Sequence, residues 1–142
     1  MPRLELWMCV FAGVSGGLAG SLWSGLVTTP WLARSPTTAG IVLPESTARL
    51  VAGAVLRAGA GAVLGFLFWL GWGLIAVVGW RWHVIGLLYG GLCWAALVMP
   101  VLASLGLRAP NEGRLIAAHA LEWLFTCAAI GLACAYAWHR YA

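Results

Sequence analysis

Four apolar runs, at about residues 6–29, 50–79, 84–105 and 115–138, constrain this chain more than any other feature. Each reaches the roughly 20 residues that an α-helix needs to cross a hydrocarbon core ~30 Å thick. Lipid offers no partner to a backbone N–H or C=O, so only helices and closed barrels span it. Barrel strands alternate apolar and polar residues over about 10 positions; these runs are longer and do not alternate. The expected fold is therefore all-α: an integral membrane bundle of about four transmembrane helices in one transmembrane domain covering residues 1–142. Charge agrees, because 8% of residues are charged, against roughly 25% in a soluble domain.

The charged residues are as informative for their type as for their number. All eight cations are arginine (3, 34, 49, 57, 81, 108, 114, 140) and all four acids are glutamate (5, 45, 112, 122). The arginines stand singly at loops and helix ends, where they set topology. They form no stripe able to follow a phosphate backbone, so nucleic acid is not an expected partner. Arginine in place of lysine, with abundant Ala, Gly and Trp, suits a GC-rich bacterial genome and points to the bacterial inner membrane. Cys9, Cys93, Cys127 and Cys134 lie in apolar runs without CxxC or CxxxC spacing. They read as buried inert thiols, and no metal or cofactor is expected. The run from Leu6 to Thr29 is too long for a signal-peptide core and is preceded by Glu5, so it reads as a retained helix.

Breaks between the runs are marked by turn chemistry. Thr28-Thr29-Pro30 is expected to end the first helix, Pro44-Glu45-Ser46-Thr47 to cap the second, and Arg81-Trp82-His83 to separate the second from the third. Gly106 to Arg114, with Pro110-Asn111-Glu112-Gly113 inside it, separates the last two. Arg34, Arg49, Arg57, Arg108 and Arg114 fall toward one side and Arg3, Arg81 and Arg140 toward the other. The positive-inside rule then places both termini outside the cytoplasm. The second run, about 30 residues or ~45 Å long, exceeds the core thickness and must tilt or begin among the headgroups. Trp7, Trp80, Trp82 and Trp138 mark one interface and Trp23, Trp31 and Trp123 the other, with Trp69, Trp72 and Trp94 deeper.

Apolar helices in lipid associate where small residues let backbones approach. The first helix offers Gly13-xxx-Gly17 and Gly16-xxx-Gly20, the second Gly61-xxx-Gly65 and the third Gly86-xxx-Gly90; the fourth shows Thr126, Ala129 and Ala133 instead. These seams serve packing within the bundle, or leave one face for a second copy or another membrane subunit.

One polar constellation lies inside the runs. Arg57 sits four and eight residues before Gly61 and Gly65, on the close-packing face of its helix, while His119 and Glu122 are i, i+3 neighbours leading toward Thr126. Arg57 follows Arg49 by eight residues and Glu122 follows Arg114 by eight, which puts them at similar depth on helices entering from one side. An ion pair with His119 beside it is expected. It either fixes the second helix against the fourth or forms a proton- or anion-linked site, with Arg57 the fixed cation, Glu122 the titrating carboxylate and His119 the shuttle. Pro100 is expected to kink the third helix near the same end. His83 and His119 enter from opposite sides, which excludes a bis-histidine haem, and His83 and His139 read as headgroup contacts. No HExxH, GxSxG or deep Asp pair is present, so no enzyme is expected.

The stretch Gly86-Leu87-Leu88-Tyr89-Gly90-Gly91, then Pro100, the exit Gly106-Leu107-Arg108-Ala109-Pro110, and His119 with Trp123 on a final helix resemble the carboxyl half of the YagU-like small inner-membrane proteins. The resemblance covers the last ~60 residues, while Thr28-Thr29-Pro30-Trp31 stands where that family has a basic, proline-rich exit. It implies the same membrane fold and an association with acid tolerance. The expected role is a small non-catalytic polytopic membrane protein, an accessory subunit or self-assembling component. The alternative is a homodimeric proton- or anion-linked transporter or channel built on Arg57, His119 and Glu122.

Overall fold

The computed structural model describes residues 2–34, 47–75 and 79–141, with the side chains of residues 2 and 72–75 excepted. Among the described residues the fold is helical throughout and contains no strand. Helix α1 (Pro2–Trp23) passes through a π-helical turn, Ser24–Thr28, into α2 (Thr29–Ala33); α3 is Thr47–Ile75. Helix α4 (Trp82–Cys93) passes through a second π-turn, Trp94–Val98, into α5 (Met99–Arg108), and one 3-10 turn, Pro110–Glu112, leads into α6 (Gly113–Tyr141). Four continuous stretches are long and apolar enough to cross a membrane: Arg3–Ala33, Thr47–Gly71, Trp82–Arg108 and Pro110–Tyr141. These are the first to fourth spans.

Of Pro30 and Pro100, the first acts differently from the sequence expectation. Pro30 does not end the first span, which continues to Ala33. A proline lacks the N–H for its helical bond, and its ring collides with the carbonyl one turn earlier. The chain answers by widening that turn, with Thr29 N–H reaching back to the Ser24 carbonyl. Pro100 is accommodated in the same way, with Met99 N–H bonded to the Trp94 carbonyl. π-turns are a known means of absorbing such a break without ending a helix. The spacing recurs too: in both spans the wide turn ends two residues before the proline, which is followed two residues later by Leu-Ala (Leu32-Ala33, Leu102-Ala103).

Other boundaries also move. The second helix was expected to run to residue 79, but Gly79 stands outside it with φ +64°, a left-handed conformation that glycine adopts without a Cβ clash. The third-to-fourth connection is tighter than expected, since Ala109 and the single 3-10 turn are all that separate α5 from α6. The expected cap at Pro44, Glu45 and Ser46 lies outside the described residues, as does the side chain of Trp72.

The fourth span is central, packed against each of the other three. Helix α1 packs on α3 along one side and on α6 along the other, and α4 packs on the far side of α6. The second and third spans do not close on each other backbone to backbone. They meet through Tyr89, whose hydroxyl donates to the Leu64 carbonyl and whose ring meets Phe68 edge-on at 5.1 Å. Phe68, Ile130, Cys9 and Cys134 are fully buried at the centre, and the Cys134 thiol donates to the Cys9 carbonyl at 3.5 Å. Outward faces carry leucine, valine and phenylalanine, as at Leu4, Phe11, Leu26, Val55 and Leu92, the surface that lipid tails require.

The crossings are made by glycine. A methyl group built on Gly13 would overlap the Gly61 carbonyl, and one on Gly61 the Gly13 carbonyl; Gly17 stands in the same relation to the Arg57 carbonyl and Gly65 to that of Cys9. Gly16 lies against the backbone of Ala129 and Ile130, Gly20 against the Thr126 side chain, and Gly86 and Gly90 against the backbone of Gly131 and Cys127. Each expected glycine therefore sits at a contact within the chain, on two faces of the first span and one face each of the second and third. Gly131 was not anticipated, although Cys127-xxx-Gly131 is a small-xxx-small pair readable in the sequence.

Candidate functional site: a buried polar clasp

The α1–α3 crossing at Gly17 sets Arg57 in the interior, and the α1–α6 crossing at Gly20 turns Thr126, and with it Glu122 one turn earlier, toward the same space. Arg57 Nη2 pairs with Glu122 Oε1, and the side chains are 14% and 1% exposed. His119 Nδ1 lies 3.6 Å from Glu122 Oε2, and its side chain is 45% exposed. The three residues singled out in the sequence thus form one cluster joining the second span to the fourth. Trp123 packs its ring 6.0 Å from the Arg57 guanidinium carbon. Thr126 Oγ1 donates to the Glu122 carbonyl at 2.9 Å, satisfying the hydroxyl within its own helix.

The arrangement can do two things. A largely buried ion pair holds two helices in one register, because separating them leaves each charge unpaired in a low dielectric. It could also relay a proton. Glu122 has no solvent exposure of its own, so exchange would pass through His119, which is half open to the surroundings. Among the described residues no three His, Cys, Asp or Glu side chains converge as the ligands of a metal would. His83 and His139 lie at the opposite end, both against Trp82: His139 stacked at 6.4 Å and His83 edge-on at 5.6 Å.

Two interhelical ties were not read from the sequence. Trp94, expected only to lie deep, donates its indole N–H to the Ala120 carbonyl at 2.9 Å. It stands in the wide turn of the third span. Arg114 places its guanidinium 4.1 Å from the centre of the Trp31 ring and bonds the Trp31 carbonyl at 3.3 Å, joining the end of the first span to the start of the fourth. No periodicity announces either tie, since each depends on which helices become neighbours. Trp94→Phe keeps the ring and removes the donor. We expect it to cost about 0.6 kcal/mol and at most ~1.7, the range for hydrogen bonds between membrane helices. Reversible unfolding in mixed micelles would measure it.

Two clefts flank the clasp. One, of about 630 Å3, lies between the second and third spans with the fourth as its floor; Val55, Gly59, Val63, Leu97, Val98 and Trp123 are among its walls, and it is almost wholly apolar. The other, of about 530 Å3, lies between the first and second spans and includes Ser21, Ser24, Arg49 and Arg57 in its wall. Compared with protein-family models, curated proteins and solved structures, the chain matches none.

Proposed function

We propose that this chain is a non-catalytic polytopic component of the bacterial inner membrane, an accessory subunit of a larger membrane assembly, with both termini outside the cytoplasm. One observation carries the reading: the polar cluster and the glycine crossings are engaged inside the chain, while the second and third spans leave an apolar cleft open beside residues 55–64 and 93–98. A bundle in lipid gains nothing from leaving such a cleft to acyl chains if a neighbouring helix can fill it with better packing. The side assignment rests on the five arginines toward the two odd-numbered loops against three opposite. The resemblance to the YagU-like proteins belongs to the same proposal and favours a small inner-membrane protein.

A second reading, a homodimeric proton- or anion-linked transporter, draws on a different observation. Half-exposed His119, buried Glu122 and cleft-lining Arg57 are contiguous, and four short helices would need a two-fold partner to enclose a path.

Weighing the intact assembly separates the two. After gentle extraction of the full chain from its native membrane, native mass spectrometry is expected to show the 15.0 kDa chain bound to an unrelated membrane protein in fixed ratio. Substituting tryptophan for Gly59, whose side-chain position is open space, is expected to release that partner. A clean homodimer would favour transport, and a monomer with lipid alone would overturn both readings.

A further inference from the structure

We infer that the cleft between the first and second spans is a binding site for a phosphate-bearing anion, held between Arg57 and Ser21 at its floor and Arg49 at its rim. This goes beyond the accessory role and does not depend on any protein partner.

The site is built by two turns of α3 facing the end of α1 and the wide turn that follows it. Arg49, Gly53 and Arg57 recur at intervals of four and line one wall; Ser21, Ser24 and Gly25 line the other. Gly53 makes room for the guanidinium: Arg57 Nη1 lies 3.0 Å from where a side chain at Gly53 would begin. Glu122 takes Nη2 from the opposite side, but Arg57 Nε and Ser21 Oγ are both buried without a hydrogen-bond partner. Two buried polar groups, one on each wall of the cleft, thus lack partners within the protein, a state that is unfavourable until a ligand supplies one.

The chemistry selects the ligand. Both charged residues of the wall are arginines, and Glu122, the carboxylate that pairs with Arg57, lies outside the lining. The complement is an anion. Guanidinium donors and a hydroxyl lining one cleft suit a group with several acceptor oxygens, which phosphate provides. Arg49 and Arg57 are eight residues apart, so the cleft falls ~12 Å from rim to floor along the helix, a depth a headgroup phosphate can enter from the leaflet. Leu22, Leu26 and Leu50 border it and are exposed outward, giving acyl chains a surface beside the phosphate. A phospholipid headgroup and a free phosphate ester share this chemistry, and the experiment distinguishes them.

The full chain, purified in a neutral detergent, would be titrated with phosphatidylglycerol and with phosphatidylcholine of the same acyl chains and read by native mass spectrometry. Thermal unfolding would be followed in parallel against inorganic phosphate. Phosphatidylglycerol is expected to bind about tenfold more tightly than phosphatidylcholine, whose phosphate is the same but whose choline cation would be repelled by the two arginines. Gly25→Leu, which fills the cleft from a position with open space around it, and Arg49→Gln at the rim are each expected to remove that preference. Gly91→Leu, equally unobstructed but on the third span, should keep it. Phosphate that stabilises the parent but not Gly25→Leu, and displaces the lipid, would assign a free anion; lipid binding indifferent to phosphate would assign a headgroup. Equal binding of the two lipids with no response to phosphate, or an unchanged preference in both Gly25→Leu and Arg49→Gln, would overturn the site.

Discussion

Glu122→Leu, with Arg57 left in place, is expected to destabilise the bundle by about 3–5 kcal/mol, the cost of stranding one member of a buried ion pair. Glu122 is 1% exposed and cannot recover its hydration without moving a helix, while Arg57, 14% exposed, reaches only the cleft beside it. Arg57→Met alone should fall in the same range, because it leaves the carboxylate stranded. The double variant Arg57→Met with Glu122→Leu removes both charges and both desolvation penalties, and should return to within about 1–2 kcal/mol of the parent. The chain carries its own reporter: Cys9, Cys127 and Cys134 are buried and Cys93 is half-buried, so a thiol-reactive dye lights up on unfolding. Single variants as stable as the double would mean that the pair does not clasp the second span to the fourth. If the double variant is stable, it also becomes the tool for transport assays, since any proton coupling through His119 and Glu122 would vanish while the fold remained.

Gly61→Ile is expected to have an effect at least as large. A side chain there begins where the Gly13 carbonyl already sits, with backbone rather than a flexible side chain as the obstacle, so the first and second spans must move apart. Overpacking a core ordinarily costs about 1–3 kcal/mol; a crossing that is backbone against backbone has nowhere to relax and should exceed that range. Gly59→Ile, half a turn away on the same helix with nothing within 4 Å, is expected to stay within about 0.5 kcal/mol. The same dye assay reads both. Equal tolerance of the two substitutions would show that the α1–α3 crossing does not hold the bundle.

The spans, their number and the polar trio could be read from the sequence for one reason. Length of apolar run, helical spacing and matched distance from Arg49 and Arg114 are all properties of single helices, and Arg57, His119 and Glu122 follow from them. Which helices become neighbours is a property of pairs. The sequence placed glycines on faces but did not say that Gly13 and Gly17 would meet α3 while Gly16 and Gly20 met α6, nor that Trp94 would reach Ala120 or Arg114 would cover Trp31. Pro30 misled for a related reason. A proline rule applies to an α-helical turn, and the chain escaped it by changing the turn.

Arg57 and Glu122 also hold corresponding places in the two halves of the chain. Arg49-Leu50 leads to Leu56-Arg57 across the same number of residues as Arg114-Leu115 leads to Leu121-Glu122, and each half supplies a broken span followed by an unbroken one. If two first halves came together as the two halves do here, Arg57 would face Arg57; two second halves would set Glu122 against Glu122. Like charges at that depth repel with little solvent to screen them. The Arg57–Glu122 pairing is thus one that neither half can make with a copy of itself.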